Sequence, residues 1–174
     1  KKGYMMSKSY DPLDTHFERF FSEWINAIHV QNICPYAKSS LQREKINLRK
    51  VKDAELWDFW TAVTEECENW TGDYEMVVVT MNSNEQQLNH VQLQGGVDAI
   101  NSSLNARNKG LWLLEGMDAG FTTVLIQDIR KLDDASKLME PKGYYKNYHP
   151  FRYWKHIESR RKLRNRLTTE KGKQ

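Results

Sequence analysis

Tyr74-Glu75-Met76-Val77-Val78-Val79-Thr80-Met81 is a continuous apolar, β-branched run that follows the Gly72-Asp73 turn. A run of this length and composition reads as a strand buried on both faces, hence central in a sheet. Upstream, residues 45–51 (Lys-Ile-Asn-Leu-Arg-Lys-Val) alternate polar and apolar, the period-two signature of a half-buried strand. Between them, from Asp53, the residues Leu56, Trp57, Phe59, Trp60, Val63 and Cys67 recur at helical spacing and predict an amphipathic helix.

Downstream, residues 84–107 carry Leu88, Val91, Leu93, Val97, Ile100 and Leu104 at helical spacing, with Gly95-Gly96 as a break or hinge. Residues 110–114 and 121–127 read as two short strands joined by a loop containing Gly116 and Gly120. Asp133-Asp134 is expected to cap a short helix that Pro141 and Gly143 end, and residues 151–167 read as a long basic helix. At the other end, Asp11-Pro12 opens a helix in which Phe17, Phe20, Phe21, Trp24, Ile25 and Ile28 form one stripe, stopped by Pro35. Helices alternating with strands place the chain in the α/β class, as an α+β sandwich. The expected architecture is a roughly four-stranded mixed sheet packed with helices and ending in a basic C-terminal helix.

The 174 residues fit one domain, large enough for a core that needs no staples. Residues 11–168 are expected to form it, with 1–10 a disordered segment or a reading-frame remnant and 169–174 a disordered basic tail. With 39% hydrophobic and 28% charged residues and a mean hydropathy of −0.78, the composition is that of a soluble globular protein. No apolar run reaches bilayer length and residues 1–10 lack a signal-peptide core, so no membrane contact and a cytoplasmic location are expected. The two cysteines, Cys34 and Cys67, stand apart from any metal-type doublet. His16, His29, His90 and His156 likewise lack ligand spacing with acidic or cysteine partners, and neither metal nor cofactor is implied.

Trp24, the segment Ile33-Cys34-Pro35-Tyr36-Ala37-Lys38, the basic strand after it and residues 74–79 fall in an order similar to an uncharacterised bacterial family. Its members read tryptophan, a helical stretch, then leucine-asparagine-leucine-cysteine-proline-phenylalanine-alanine. The resemblance runs from about Phe17 to about Thr80 and departs at Tyr36, where the family has phenylalanine. Tyr148-His149-Pro150-Phe151, with Tyr153 and Trp154, is similar to a histidine-proline pair flanked by aromatics in such proteins. The family has no known activity, so the resemblance implies a shared segment and no reaction.

Three sets of residues carry chemistry. Cys34 and His149 are the candidate catalytic pair, with Tyr36, Lys38, Tyr148 and Tyr153 as candidate ligand-binding residues. Cationic neighbours such as Lys38 lower a thiol pKa, and imidazole titrates near neutrality within walls of Tyr144, Tyr145 and Tyr148. The plainer alternatives are a buried cysteine turning the chain into the core, and aromatics that pack the last helix while His149 forms its entry turn. The third set is electrostatic: from Pro150 onward nine Lys and Arg face two Glu, a net of +7 in a chain of +3. Arg160, Arg161, Lys162, Arg164 and Arg166 are the candidate nucleic-acid contacts, interleaved with aromatics.

Gly95-Gly96 lacks the lysine and serine of a phosphate loop. Glu65-Glu66 and Asp133-Asp134 are adjacent carboxylates that point apart on a helix. Three functional readings follow: a small-ligand or thiol-dependent site, a nucleic-acid-binding accessory protein, and a structural or assembly component. The corresponding partners are an unidentified small molecule, and a nucleic acid or acidic protein on the C-terminal helix.

Overall fold

The computed structural model describes residues 21, 23, 34–51, 55–82, 88–118 and 121–171. Most of the predicted N-terminal helix, with Trp24, lies outside these residues. The described elements run α1 (Ala37–Gln42), β1 (Ile46–Val51), α2 (Leu56–Glu68), β2 (Met76–Asn82), α3 (His90–Ala106), β3 (Leu111–Asp118) and β4 (Phe121–Asp128). There follow α4 (Ile129–Met139), a 3₁₀ turn (Glu140–Lys142) and a terminal helix. That helix is built from α5 (Pro150–Tyr153), a π segment (Trp154–Glu158) and α6 (Ser159–Lys171).

The sheet is four-stranded and mixed, in the order β1-β2-β4-β3. β1 pairs parallel with β2, which α2 permits by carrying the chain back across the sheet. β2 pairs antiparallel with β4, and β4 with β3. The valine run therefore sits between two neighbours, and its alternate residues feed two separate cores. Val77, Val79 and Met81 pack under α2 and α3 against Phe59, Val63 and Leu93. Met76 and Val78 face the other layer, with Leu48, Leu125, Tyr36 and Cys34. Thus the α/β reading holds, with a helical layer on each face.

Local chemistry sets the helix starts. Glu55 and Asp58 form a capping box at α2, and Asn89 and Gln92 form one at α3. Gly95 and Gly96 lie inside α3 and do not break it. Gly96 is where the helix runs against Trp60, and a Cβ there would collide with the indole. Asp128, and not the expected Asp133-Asp134 pair, caps α4: its Oδ1 accepts from the backbone N–H of Arg130 and Lys131. The helix starts earlier than expected because Asp128 ends β4 where Ile129 can already be buried. The hairpin strands are also longer than expected. Gly116 lies within β3 opposite Thr123, whose hydroxyl donates to the Gly116 carbonyl at 2.9 Å.

β3 is an edge strand, and edges expose unpaired backbone groups. Asn101 of α3 covers the Leu113 position: its Nδ2 donates to the Leu113 carbonyl at 3.0 Å, and its Oδ1 accepts from the Leu113 N–H at 2.8 Å. The terminal helix lies alongside, with Leu163 packed on Ile129 and Trp112. No helix among the described residues is long and apolar enough to cross a membrane.

Candidate functional site

The Cys34-Pro35-Tyr36 turn leads into α1 and is pinned to the start of β2. Tyr36 Oη donates to the Glu75 carbonyl at 3.1 Å, and Ser40 Oγ to Glu75 Oε2 at 2.6 Å. Arg43 adds a fork to both Glu75 carboxylate oxygens at 2.8 Å. Cys34 is 3% exposed, and its thiol donates to Gln127 Oε1 at 3.2 Å. Burial pushes the thiol up to about 12, against the weaker pull of the Tyr36 and Ala37 amides and the Arg160 charge. Burial thus favours the protonated thiol, which serves as a hydrogen-bond donor to Gln127. Lys38, the nearby cation that the sequence offered for activating the thiol, is exposed on the helix surface, while desolvation is the largest influence on the sulfur. Tyr36, also buried, holds the turn.

His149 stands at the start of the terminal helix. It is the N-cap of α5: its Nδ1 accepts from the Phe151 N–H at 3.2 Å, and Pro150 supplies the first helical residue. A ring accepting through Nδ1 carries its neutral-state proton on Nε2, which makes that nitrogen a donor. The expected helix-entry turn is thus present, and it fixes the tautomer.

The same residue opens onto a cavity of about 310 Å³. Asn147, Tyr148 and His149 line it from the loop, and Arg152 and His156 from the terminal helix. Leu114 and Glu115 of β3 form the opposite wall. His149, Arg152 and His156 recur at three and four, so a single helical stripe carries all three. Glu115 Oε2 is buried without a hydrogen-bond partner among the described residues. His156 is 8% exposed, and burial lowers its pKa to about 4, aided by the charges of Lys155 and Arg152. The cavity thus combines a neutral buried imidazole, a tautomer-fixed imidazole, a guanidinium and a carboxylate.

Of the sequence candidates, Tyr148 and His149 meet here. Cys34 and Tyr36 stand instead in the core layer beneath α1. Tyr153 is engaged elsewhere, donating to Glu140 while Arg161 Nη1 donates to its oxygen at 3.2 Å. Tyr144, Tyr148 and Tyr153 pack edge to face on the buried Tyr145. Arg152, His156, Asn147 and Glu115 were not among the sequence candidates. The three-and-four spacing from His149 was a usable signal for the first two, whereas Glu115 depends on how β3 meets the helix.

The basic set divides. Arg160 is 3% exposed and donates through Nε to Asp133 Oδ1 at 2.6 Å. Arg161 pairs with Glu140 at 2.7 Å and Arg164 with Asp134 at 2.5 Å. Lys162 and Arg166 are exposed and have no ion pair among the described residues. The expectation that all five face phosphates is corrected for the first of them: Arg160 is internal, and its counter-charge is a carboxylate of α4. Among the described residues no group of three His, Cys, Asp or Glu side chains gathers to hold a metal ion.

Comparison of the chain with protein-family models, with curated proteins and with solved structures gave no match, so the chemistry of the cavity is the ground on which function is argued.

Proposed function

We propose that the protein binds a small molecule bearing an anionic group, a carboxylate or a phosphate ester, in the His149 cavity. The observation that carries this reading is the convergence of five hydrogen-bonding side chains, Asn147, Tyr148, His149, Arg152 and His156, on one cavity with a single carboxylate. Arg152 supplies the charge that would pair with the anion, and its guanidinium is suited to two parallel hydrogen bonds. The Nε2–H of His149 and the amide of Asn147 add neutral donors. Glu115 on the β3 wall favours a ligand that also carries a hydroxyl or amino donor. A volume of about 310 Å³ suits a molecule of metabolite size.

Thiol chemistry is left out of this reading because Cys34 is buried, does not line the cavity, and has its thiol pKa raised by burial. The test is titration of the full chain with inorganic phosphate and with citrate, followed by the histidine ring resonances and by calorimetry. Saturable shifts at His149 that disappear in Arg152→Gln support the proposal. Unshifted histidine signals with both anions at millimolar concentration would defeat it.

A further inference from the structure

The terminal helix has a second lined face. Apart from the stripe of His149, Arg152 and His156, it lines with α3 and Trp112 a groove of about 410 Å³. Phe151 and Trp154 stand at one end, 61% and 52% exposed, with ring centroids 5.9 Å apart and planes inclined by 35°. Two large aromatic faces side by side in water are an unusual surface, and such patches mark binding sites. The π segment begins at Trp154, and π insertions recur at functional sites because they re-aim the side chains of a helix.

Polar groups line the rest of the groove. Asn105 offers an amide without a hydrogen-bond partner among the described residues, whereas Asn101 is committed to the Leu113 backbone. Lys155 is paired with Asp98 at 2.9 Å, which leaves Arg166 as the cation of the groove without an ion pair among the described residues. Helical rise places Arg166 about 18 Å from Trp154. An occupant that satisfies both ends is therefore extended, planar and aromatic at one end, and anionic at the other.

We propose that this groove binds a short stretch of single-stranded nucleic acid, with bases stacked on Trp154 and Phe151 and a backbone phosphate on Arg166. Single strands fit where duplexes do not, because only unpaired bases present their faces to aromatic rings. The net charge of +7 beyond residue 149 supplies attraction at a distance, although Arg160, Arg161 and Arg164 are engaged within the fold. This inference is independent of the His149 cavity.

The test is fluorescence anisotropy of a labelled deoxythymidine hexamer with the full chain and with three variants, Trp154→Ala, Phe151→Ala and Arg166→Gln. All three positions are exposed, and circular dichroism checks that each variant folds. Expected is saturable binding that Trp154→Ala weakens by about tenfold or more. Arg166→Gln should reduce the slope of log affinity against log salt by about 0.7. Binding unchanged by Trp154→Ala overturns the proposal, as does heparin competing equally with and without Trp154. Adenosine monophosphate binding as tightly as the hexamer overturns the extended strand in favour of a mononucleotide. A dimer abolished by Trp154→Ala, without oligonucleotide binding, assigns the groove to a second copy and overturns the proposal outright.

Discussion

Arg160 and Asp133 form an ion pair inside the protein, Nε to Oδ1 at 2.6 Å, with side chains 4% and 0% exposed. Two charges withdrawn from water cost several kcal/mol each, and their mutual attraction offsets that only while both are present. Asp133 Oδ2 and Arg160 Nη2 lack further partners among the described residues, so the pair has little reserve. Arg160→Ala and Asp133→Ala should each lower stability by about 3–5 kcal/mol in urea titrations. Lys162→Ala, two positions on and exposed, should change it by less than about 0.5 kcal/mol. A small effect at Arg160 would return it to the surface and restore it as a phosphate contact.

Cys34 reads differently once its surroundings are known. Its Sγ–H is the donor to Gln127 Oε1, and Gln127 is 1% exposed, so loss of the thiol strands a buried acceptor. Cys34→Ala should cost about 1–3 kcal/mol, while Cys34→Ser, which keeps a donor, should cost less. In native protein carrying Cys67→Ser, iodoacetamide at pH 8 should leave Cys34 unmodified over hours, with labelling only on addition of denaturant. Rapid native labelling with a midpoint below about 8.5 would reinstate an activated thiolate.

The fold was readable where local chemistry and tertiary role coincide. Residues 74–81 announce a central strand because β-branched residues and burial on both faces leave one option, and the sheet contains that strand as Met76–Asn82. Residues 45–51 announce a half-buried strand in the same way, found as Ile46–Val51. The start of α4 was misplaced because Asp128 and Asp133 are chemically equal cap candidates. Only the packing of Ile129 against Leu163 and Trp112 selects the first. The candidate site was half readable. His149 and Tyr148 line one cavity, whereas Tyr144 and Tyr145, expected to wall it, do not, and Glu115 comes from a strand thirty-odd residues away. Charge was the least informative signal: Arg160 and Lys162 look alike in a row of cations, and which one is buried depends on an aspartate in another helix.

Gly95 and Gly96 supply a matched pair. Both are helical, so replacing either by alanine gains about 0.8–1.0 kcal/mol of helix propensity. A Cβ on Gly95 meets nothing within 4 Å, and Gly95→Ala should raise stability by about that amount. A Cβ on Gly96 collides with the Trp60 indole, and overpacking of this kind costs about 1–3 kcal/mol. Gly96→Ala should therefore be net destabilising by about 1 kcal/mol, and Trp60→Leu should relieve it. Equal melting shifts for the two alanine variants would refute the close approach of α2 and α3 at this point.

His156 ties the cavity to pH. Its folded pKa, lowered to about 4 first by burial and then by the Lys155 and Arg152 charges, lies below the unfolded value of about 6.5. Between those values the unfolded chain binds more protons, so stability rises with pH through this window and is lost as pH falls. Above about 6.5 the ring is neutral in both states and contributes no pH dependence, and below about 4 the loss levels off at roughly 3 kcal/mol. Between pH 7 and 5.5, before most carboxylates titrate, His156 alone should account for about 1 kcal/mol of lost stability. His156→Gln should flatten the curve across that interval, measured as the difference in urea-unfolding free energy at the two pH values. A parallel pair of curves would mean that the imidazole is hydrated and charges freely, and its burial against the terminal helix would have to be abandoned.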